Sequence, residues 1–169
     1  ISEHKIVKST LGVITNVRRD HVDEMGSTIE DIAYSLSNTI PFNSKVLTSE
    51  KLSLKYLKNI ANQRNSKIIN STDYNVDSDY MDKMPYLEHK ENVNLALAVC
   101  EQVGIKRKKA LDGMLKTKPD PGALLIWNLE NNNKFISAFA ANDPDSTFKV
   151  WELIKSKEKN KICFFLNSR

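Results

Sequence analysis

Apolar residues along this chain fall into two rhythms, short unbroken runs and stripes at helical spacing. Leu11-Gly-Val-Ile-Thr-Asn-Val17 is a β-branched apolar run with polar flanks, the pattern of a buried strand. Ile29, Ile32, Ala33, Leu36 and Ile40 then form a helical stripe that stops at Pro41. Ser27 or Thr28 can cap that helix; Ser27 and Glu30 have the spacing of a capping box, and Asp31 adds negative charge to the first turn. Residues 45–49 predict a second short strand, and 50–62 a helix with Leu52, Leu54, Leu57, Ile60 and Ala61 on its apolar side. Residues 67–70 predict a third strand. Residues 71–90 are polar and irregular, a surface excursion with one or two short strands. Residues 93–103 are apolar almost all round and predict a deeply buried helix, with Asn92 as its cap and Gly104 as its stop. Residues 106–116 predict a more polar helix. Strand and helix thus alternate three times, as in a parallel α/β sheet.

Thr117-Lys-Pro-Asp-Pro-Gly122 interrupts this alternation with two prolines and a glycine, and predicts a domain boundary between residues 1–117 and 118–169. Beyond it, residues 123–128 and 135–140 read as two strands around a turn rich in asparagine. Asp143-Pro144 is a helix start, an N-cap with proline in the first helical position, and the helix is expected to reach about Lys159. Ile162-Cys-Phe-Phe-Leu166 reads as a buried strand. One βα unit and a final strand are too little to cover both faces of a second sheet, so the chain is expected to be the middle of a longer fold.

Composition narrows the field only modestly. The chain has 169 residues, 27% of them charged and 40% hydrophobic, with a net charge of +4, and its lysines are spread over several segments. That suits a globular core with a solvated surface rather than a nucleic-acid footprint. Cys100 and Cys163 each sit in an apolar run without a metal-ligand neighbour at CxxC or CxxH spacing, so both are expected as buried reduced thiols of a cytoplasmic protein. No apolar stretch approaches the roughly 20 residues that span a bilayer, and the first residues lack the apolar region of a signal peptide. The best chemical candidate is the polar loop between the first strand and helix, Asn16-Val-Arg-Arg-Asp-His-Val-Asp-Glu-Met-Gly26. It puts Asp20, His21 and Asp23 just past the carboxyl end of a strand, where open α/β sheets bind ligands.

Several stretches, in order, resemble the poly-γ-glutamate synthase CapB/PgsB family, relatives of the Mur ligases and folylpolyglutamate synthases. They are Gly12-Val-Ile-Thr-Asn-Val-Arg-Arg-Asp-His-Val-Asp-Glu-Met-Gly26, Ile29-Glu-Asp-Ile-Ala33, Thr39-Ile-Pro41, Asn94-Leu-Ala-Leu-Ala98, Gly113-Met-Leu115, Pro119-Asp-Pro-Gly-Ala123 and Phe139-Ala-Ala-Asn-Asp143. The Asp-His-x-Asp loop is shared across the wider superfamily; the Asp-Pro-Gly-Ala and Ala-Ala-Asn-Asp stretches are similar to CapB/PgsB in particular. The resemblance implies an α/β fold: part of a Mur-ligase central domain, mostly parallel sheet with helices, then the start of a Rossmann-like C-terminal domain. It implies an ATP-dependent amide ligase that joins glutamate through γ-linkages by way of an acyl phosphate. ATP with Mg²⁺ or Mn²⁺ is implied, as are glutamate and the poly-γ-glutamate chain as substrates. Membrane subunits of a synthesis and export complex are implied partners, at the cytoplasmic face of the membrane. No nucleic acid is implied.

Carried over residue by residue, His21 matches the superfamily histidine associated with metal and phosphates, and Asp20 orients it, with Asp23 a second orienter. A neutral imidazole there can bind a divalent ion or contact a phosphate oxygen, its tautomer fixed by a carboxylate. Asn92 and Asn94 fall where the superfamily places asparagine-type residues near the adenine, since an amide offers a donor and an acceptor together. Asn142 and Asp143 sit at the strand-to-helix turn that faces the nucleotide. Two features depart from the family. The glycines at 12, 26, 104, 113 and 122 form no GxxxxGK[ST] phosphate loop, and Ala123-Leu-Leu-Ile126 stands where relatives carry an arginine after Pro-Gly. The isolated chain is therefore expected not to turn over ATP. A split-enzyme piece or non-catalytic remnant, another Mur-type ligase, and an α/β module without a nucleotide remain as alternatives.

Overall fold

The computed structural model describes residues 6–120, 122–139, 141, 143–155 and 161–165. Its core is a three-stranded parallel sheet in the order β1 (Leu11–Ile14), β2 (Lys45–Thr48), β3 (Lys67–Asn70), in continuous register from Leu11 opposite Lys45 opposite Lys67. Between these strands come a short helical turn α1 (Val22–Met25), α2 (Ile29–Ser37) and α3 (Leu54–Gln63). After β3 the chain forms α4 (Ser78–Met81), α5 (Lys90–Gln102) and α6 (Arg107–Met114). A two-stranded antiparallel hairpin, β4 (Leu125–Asn128) and β5 (Lys134–Ser137), precedes α7 (Pro144–Lys155).

Neighbouring residues of a strand point to opposite faces of the sheet, and β2 is covered on both. Val46 joins Ile14, Ile32, Ala33, Ile40, Leu57 and Ala61 on the side of α2 and α3, whereas Leu47 packs against Leu95 and Ala98 of α5. That two-sided burial takes Val46 and Leu47, the two adjacent apolar residues of β2, to opposite faces. α5 in turn faces two ways: Leu95 and Ala98 meet the sheet, while Val93 and Leu97 belong to a second cluster with Ala110, Leu111 and Met114 of α6. Its end is a Schellman motif. Gly104 is left-handed at φ 84°, its N–H donates to Glu101 O, and the Ile105 N–H donates to Cys100 O.

Several local expectations need correction. The capping box of α2 is Thr28 with Asp31, one residue later than the Ser27–Glu30 spacing, because Thr28 Oγ1 accepts from the Asp31 N–H and Asp31 Oδ2 accepts from the Thr28 N–H. Asn92 does not cap α5; the helix begins at Lys90 with His89 before it. Within 71–90 no strand forms. That stretch holds a 3-10 turn at Ser71–Asp73, α4 and one isolated bridge, Leu87 to Leu124. Residues 161–165 form no strand, Phe165 is exposed, and Leu166 lies outside the described residues, as does the predicted extension of α7 beyond Lys155. Cys100 is half-buried as a free thiol, but Cys163 is exposed. The asparagine turn has a plain cause: Asn131 and Asn132 adopt φ 57° and 58°, a conformation asparagine tolerates better than most residues.

Candidate functional site at the carboxyl end of the parallel sheet

The loops leaving β1, β2 and β3 are laced together by polar contacts. Thr15 O accepts the Ser49 N–H at 3.2 Å and also the Ser49 hydroxyl. Glu50 is buried at 6% exposure, and each of its carboxylate oxygens accepts a backbone N–H: Val17 at 2.7 Å from the β1 loop and Ser53 at 2.8 Å from the start of α3. Asn70, at the end of β3, donates its side-chain amide to Glu50 O at 3.1 Å. A buried carboxylate is stable where charge-assisted hydrogen bonds replace its water, and here they fix the exit of all three strands.

The Asp20–His21 pair rises from this base. His21 precedes α1 with φ 49° and ψ 44°, left-handed for a residue that has a Cβ. That conformation costs on the order of 1 kcal/mol and is held from both sides. The His21 N–H donates to Asp20 Oδ1 at 2.9 Å, and His21 O accepts the N–H groups of Glu24 and Met25 at 2.9 Å. The imidazole Nε2 lies 3.6 Å from Asp20 Oδ2, and both side chains are exposed, 59% and 42%. Asp20 thus holds the His21 backbone and lies beside its ring, which faces solvent at the strand end. Among the described residues no three His, Cys, Asp or Glu side chains converge as a metal site. Magnesium and manganese favour several oxygen ligands, so this pair alone does not fit a resident ion.

Two residues before Asp20, Arg18 Nη1 reaches Ser146 Oγ at 3.3 Å, and Ser146 donates its backbone N–H (2.8 Å) and its hydroxyl to Asp143. Asp143 thus caps α7 and is brought beside the His21 loop from far along the chain. Burial pushes the Asp143 carboxyl up, but the Ser146 hydrogen bonds and the Arg18 charge outweigh it and hold the group below its ordinary range. Glu91 at the start of α5 is shared by Lys51 (3.3 Å) and Lys149 of α7 (3.8 Å). His89 lies in the same neighbourhood. Burial lowers its pKa, Lys149 and Arg18 push the same way, and Glu88 and Glu91 oppose them.

Sequence reasoning placed Asp20, His21 and Asp143 here; Asn142 lies outside the described residues. Asn92 and Asn94 are two positions apart on α5 and do not share a face. Asn92 is exposed and donates to Glu88 at 2.9 Å; Asn94 is half-buried, and its Oδ1 accepts the Val76 N–H at 3.0 Å. Glu50, Arg18, Ser146, His89 and Lys149 went unremarked as site residues. Glu50 carried one signal, a carboxylate directly after an apolar strand, though the pattern assigned it to a helix.

Comparison with known proteins adds to this geometry. The family described as "Poly-gamma-glutamate synthase CapB C-terminal domain" matches residues 126–169. The capsule biosynthesis protein CapB of Bacillus anthracis is 39% identical over 157 residues, covering 91% of this chain and 34% of that protein. The PGA synthase CapB of Bacillus subtilis (strain 168) is 35% identical over 158 residues, 92% of this chain and 40% of that protein. The chain belongs to the CapB family. It spans between a third and two fifths of the length of these two CapB relatives. Solved structures agree on the fold. E. coli FolC in complex with ADP aligns at a TM-score of 0.76 with 18% identity, over 92% of this chain and 41% of that one. A UDP-N-acetylmuramoyl-L-alanyl-D-glutamate–2,6-diaminopimelate ligase aligns at 0.61 with 21% identity, over 88% and 36%. This CapB-family chain therefore has the α/β fold of the Mur ligase and folylpolyglutamate synthase group.

Proposed function

We propose that this chain is part of an ATP-dependent ligase that extends poly-γ-glutamate for a capsule or released polymer. The observation that carries the reading is the solvent-facing Asp20–His21 pair beyond the end of β1, tied through Arg18 to the Asp143 cap of α7, in a CapB-family chain. In the reaction, a carboxylate oxygen attacks the γ-phosphorus of ATP, giving an acyl phosphate and ADP. A glutamate amine then attacks the acyl carbon, phosphate leaves, and the nitrogen gives up a proton, forming the γ-amide. Charge stabilisation and close positioning of two anionic substrates are the main demands.

His21, with Asp20 beside its ring as the orienting carboxylate, is assigned to the phosphate side of a magnesium-ATP substrate. Asp143 is assigned to the same nucleotide from the α7 side, and Asn142 is assigned to it as well. Asn92 is the exposed amide for a purine edge, and Asn94 acts by holding the backbone at Val76 in place. Residues 1–117 supply part of the nucleotide-binding central domain, and 118–169 open the C-terminal ligase domain. The reading takes the phosphate-cradling loop from sequence outside these residues and puts the working enzyme with membrane subunits at the inner face of the membrane.

The test is a chimera in which these 169 residues replace the matched segment of the Bacillus anthracis CapB protein. Glutamate-dependent ADP formation and γ-linked product are expected, with loss of both in His21→Ala. A folded chimera that makes product equally well with His21→Ala would refute the assignment of the site.

A further inference from the structure

Resting on that reading, we propose that the exposed face of α6 is a binding track for the γ-linked polyglutamate chain itself. α6 turns Ala110, Leu111 and Met114 into the core it shares with α5. Its other side, with Lys108, Lys109, Asp112 and Gly113, lines one shallow groove together with Lys106 just before the helix and Lys116 just after it. At about 100° per residue the four helical positions fall within roughly 140° of arc, and Lys106 and Lys116 bracket them at the two helix ends. All four lysines are exposed, and among the described residues none lies within ion-pair distance of a carboxylate. The neighbouring Arg107, by contrast, is engaged: it bonds Asn75 O at 2.6 Å and lies 3.7 Å from Glu101. Asp112 is the one carboxylate in the groove, and Gly113 leaves its middle open, since a Cβ there would meet nothing within 4 Å.

Each residue of a γ-linked polyglutamate carries a free α-carboxylate on a flexible backbone. Mobile ammonium groups spaced along a helix suit such a ligand, which demands no planar fork. The apolar side of α6 is spent on the core, so the helix has no face to insert into a bilayer. Position favours the polymer too. α5 begins beside the site at His89 and ends at Gln102, which accepts a hydrogen bond from Lys45 at the amino end of β2. α6 and the segment after it lead back: Leu124 bridges to Leu87, two residues before His89. The lysine face therefore lies on chain that runs from the amino end of the parallel strands back toward the site.

The test is anisotropy of a fluorescein-labelled γ-linked glutamate oligomer titrated with the chain in the absence of nucleotide. Binding is expected, falling at least about tenfold in Lys109→Glu/Lys116→Glu and weakening as salt rises. Lys109→Gln/Lys116→Gln, which removes charge without adding repulsion, should lose less. Lys58→Glu/Lys67→Glu, on exposed positions of α3 and β3, should lose nothing, and all variants should melt with the parent. Unchanged affinity in the α6 reversal, or an equal loss in the control, overturns the track. So does tighter binding of phosphatidylglycerol vesicles through the same lysines, which would make this a membrane surface. The chimera separates this inference from the ligase reading. An inactive wild-type chimera with lysine-dependent oligomer binding fails the ligase and keeps the track; an active chimera with lysine-independent binding does the reverse.

Discussion

Glu50→Ala isolates the joint that holds the strand exits. The wild-type carboxylate satisfies two backbone N–H groups, one of them, on Val17, buried. Losing a hydrogen bond to a charged group costs about 1.5–3 kcal/mol, and the buried Val17 N–H, with no water to replace the acceptor, belongs near the top of that range. Ser53 is half-buried and can rehydrate, adding about 1 kcal/mol. The sum is about 3–4 kcal/mol, which for a chain of this size lowers Tm by roughly 10 °C. Glu50→Gln keeps one acceptor and turns an amide donor toward the other N–H, so about half of that loss is expected. Thermal unfolding by circular dichroism measures the stabilities, and hydrogen exchange at Val17 and Ser53 measures the local effect. If Glu50→Ala melts within 2 °C of the parent and both amides stay protected, the account of the loop base is wrong.

Three further outcomes are expected. Gly26→Ala should destabilise by about 2 kcal/mol or more, because Gly26 sits at φ 107° and a new Cβ would lie 2.3 Å from the Asp31 Cβ; urea denaturation reads this. His89 has a pKa below the ordinary 6.5 in the folded state. The unfolded chain therefore takes up protons first as pH falls below neutrality, and the folded state loses stability there. His89→Gln should flatten that slope in melts followed across mildly acidic pH. For Asp143 the slope has the same sign at lower pH: its folded pKa is depressed, so its contribution is present above the ordinary 3.8 and is lost as pH falls through the folded value. Arg18→Ala should raise the Asp143 pKa, seen by carboxyl NMR titration, and loosen α7, seen in the fluorescence of Trp151.

The parallel sheet was legible because each strand carries a short apolar stretch, as in Val46-Leu47 and Ile68-Ile69, and helical stripes separate the three strands. α5 was legible because Leu95 and Leu97 must point to two different clusters. The region after Gly122 was less so. Ile162-Cys-Phe-Phe carries the composition of a strand, yet strand formation depends on a pairing partner, which a single segment does not encode. At the site, Asp20 and His21 are adjacent in sequence, and their role follows from standing at a strand end. Arg18, Ser146 and Asp143 meet across 128 residues, Arg18 to Ser146, and no local pattern announces such a contact. Glu50 shows a third kind of opacity: a carboxylate at a loop normally means solvent, and only the two convergent N–H groups turn it inward.

The order of the parallel sheet, β1 beside β2 beside β3, also bears on how the chain is made. Each strand pairs with the one synthesised just before it, and the helix closing each crossover packs on strands already in place. As the chain emerges from the ribosome, every new βα unit docks onto a growing edge without waiting for distant sequence. α7, whose anchors are Arg18 and Glu91, is the exception. It packs onto loops laid down well before it, so Asp143 reaches the His21 loop only after the three parallel strands have been made.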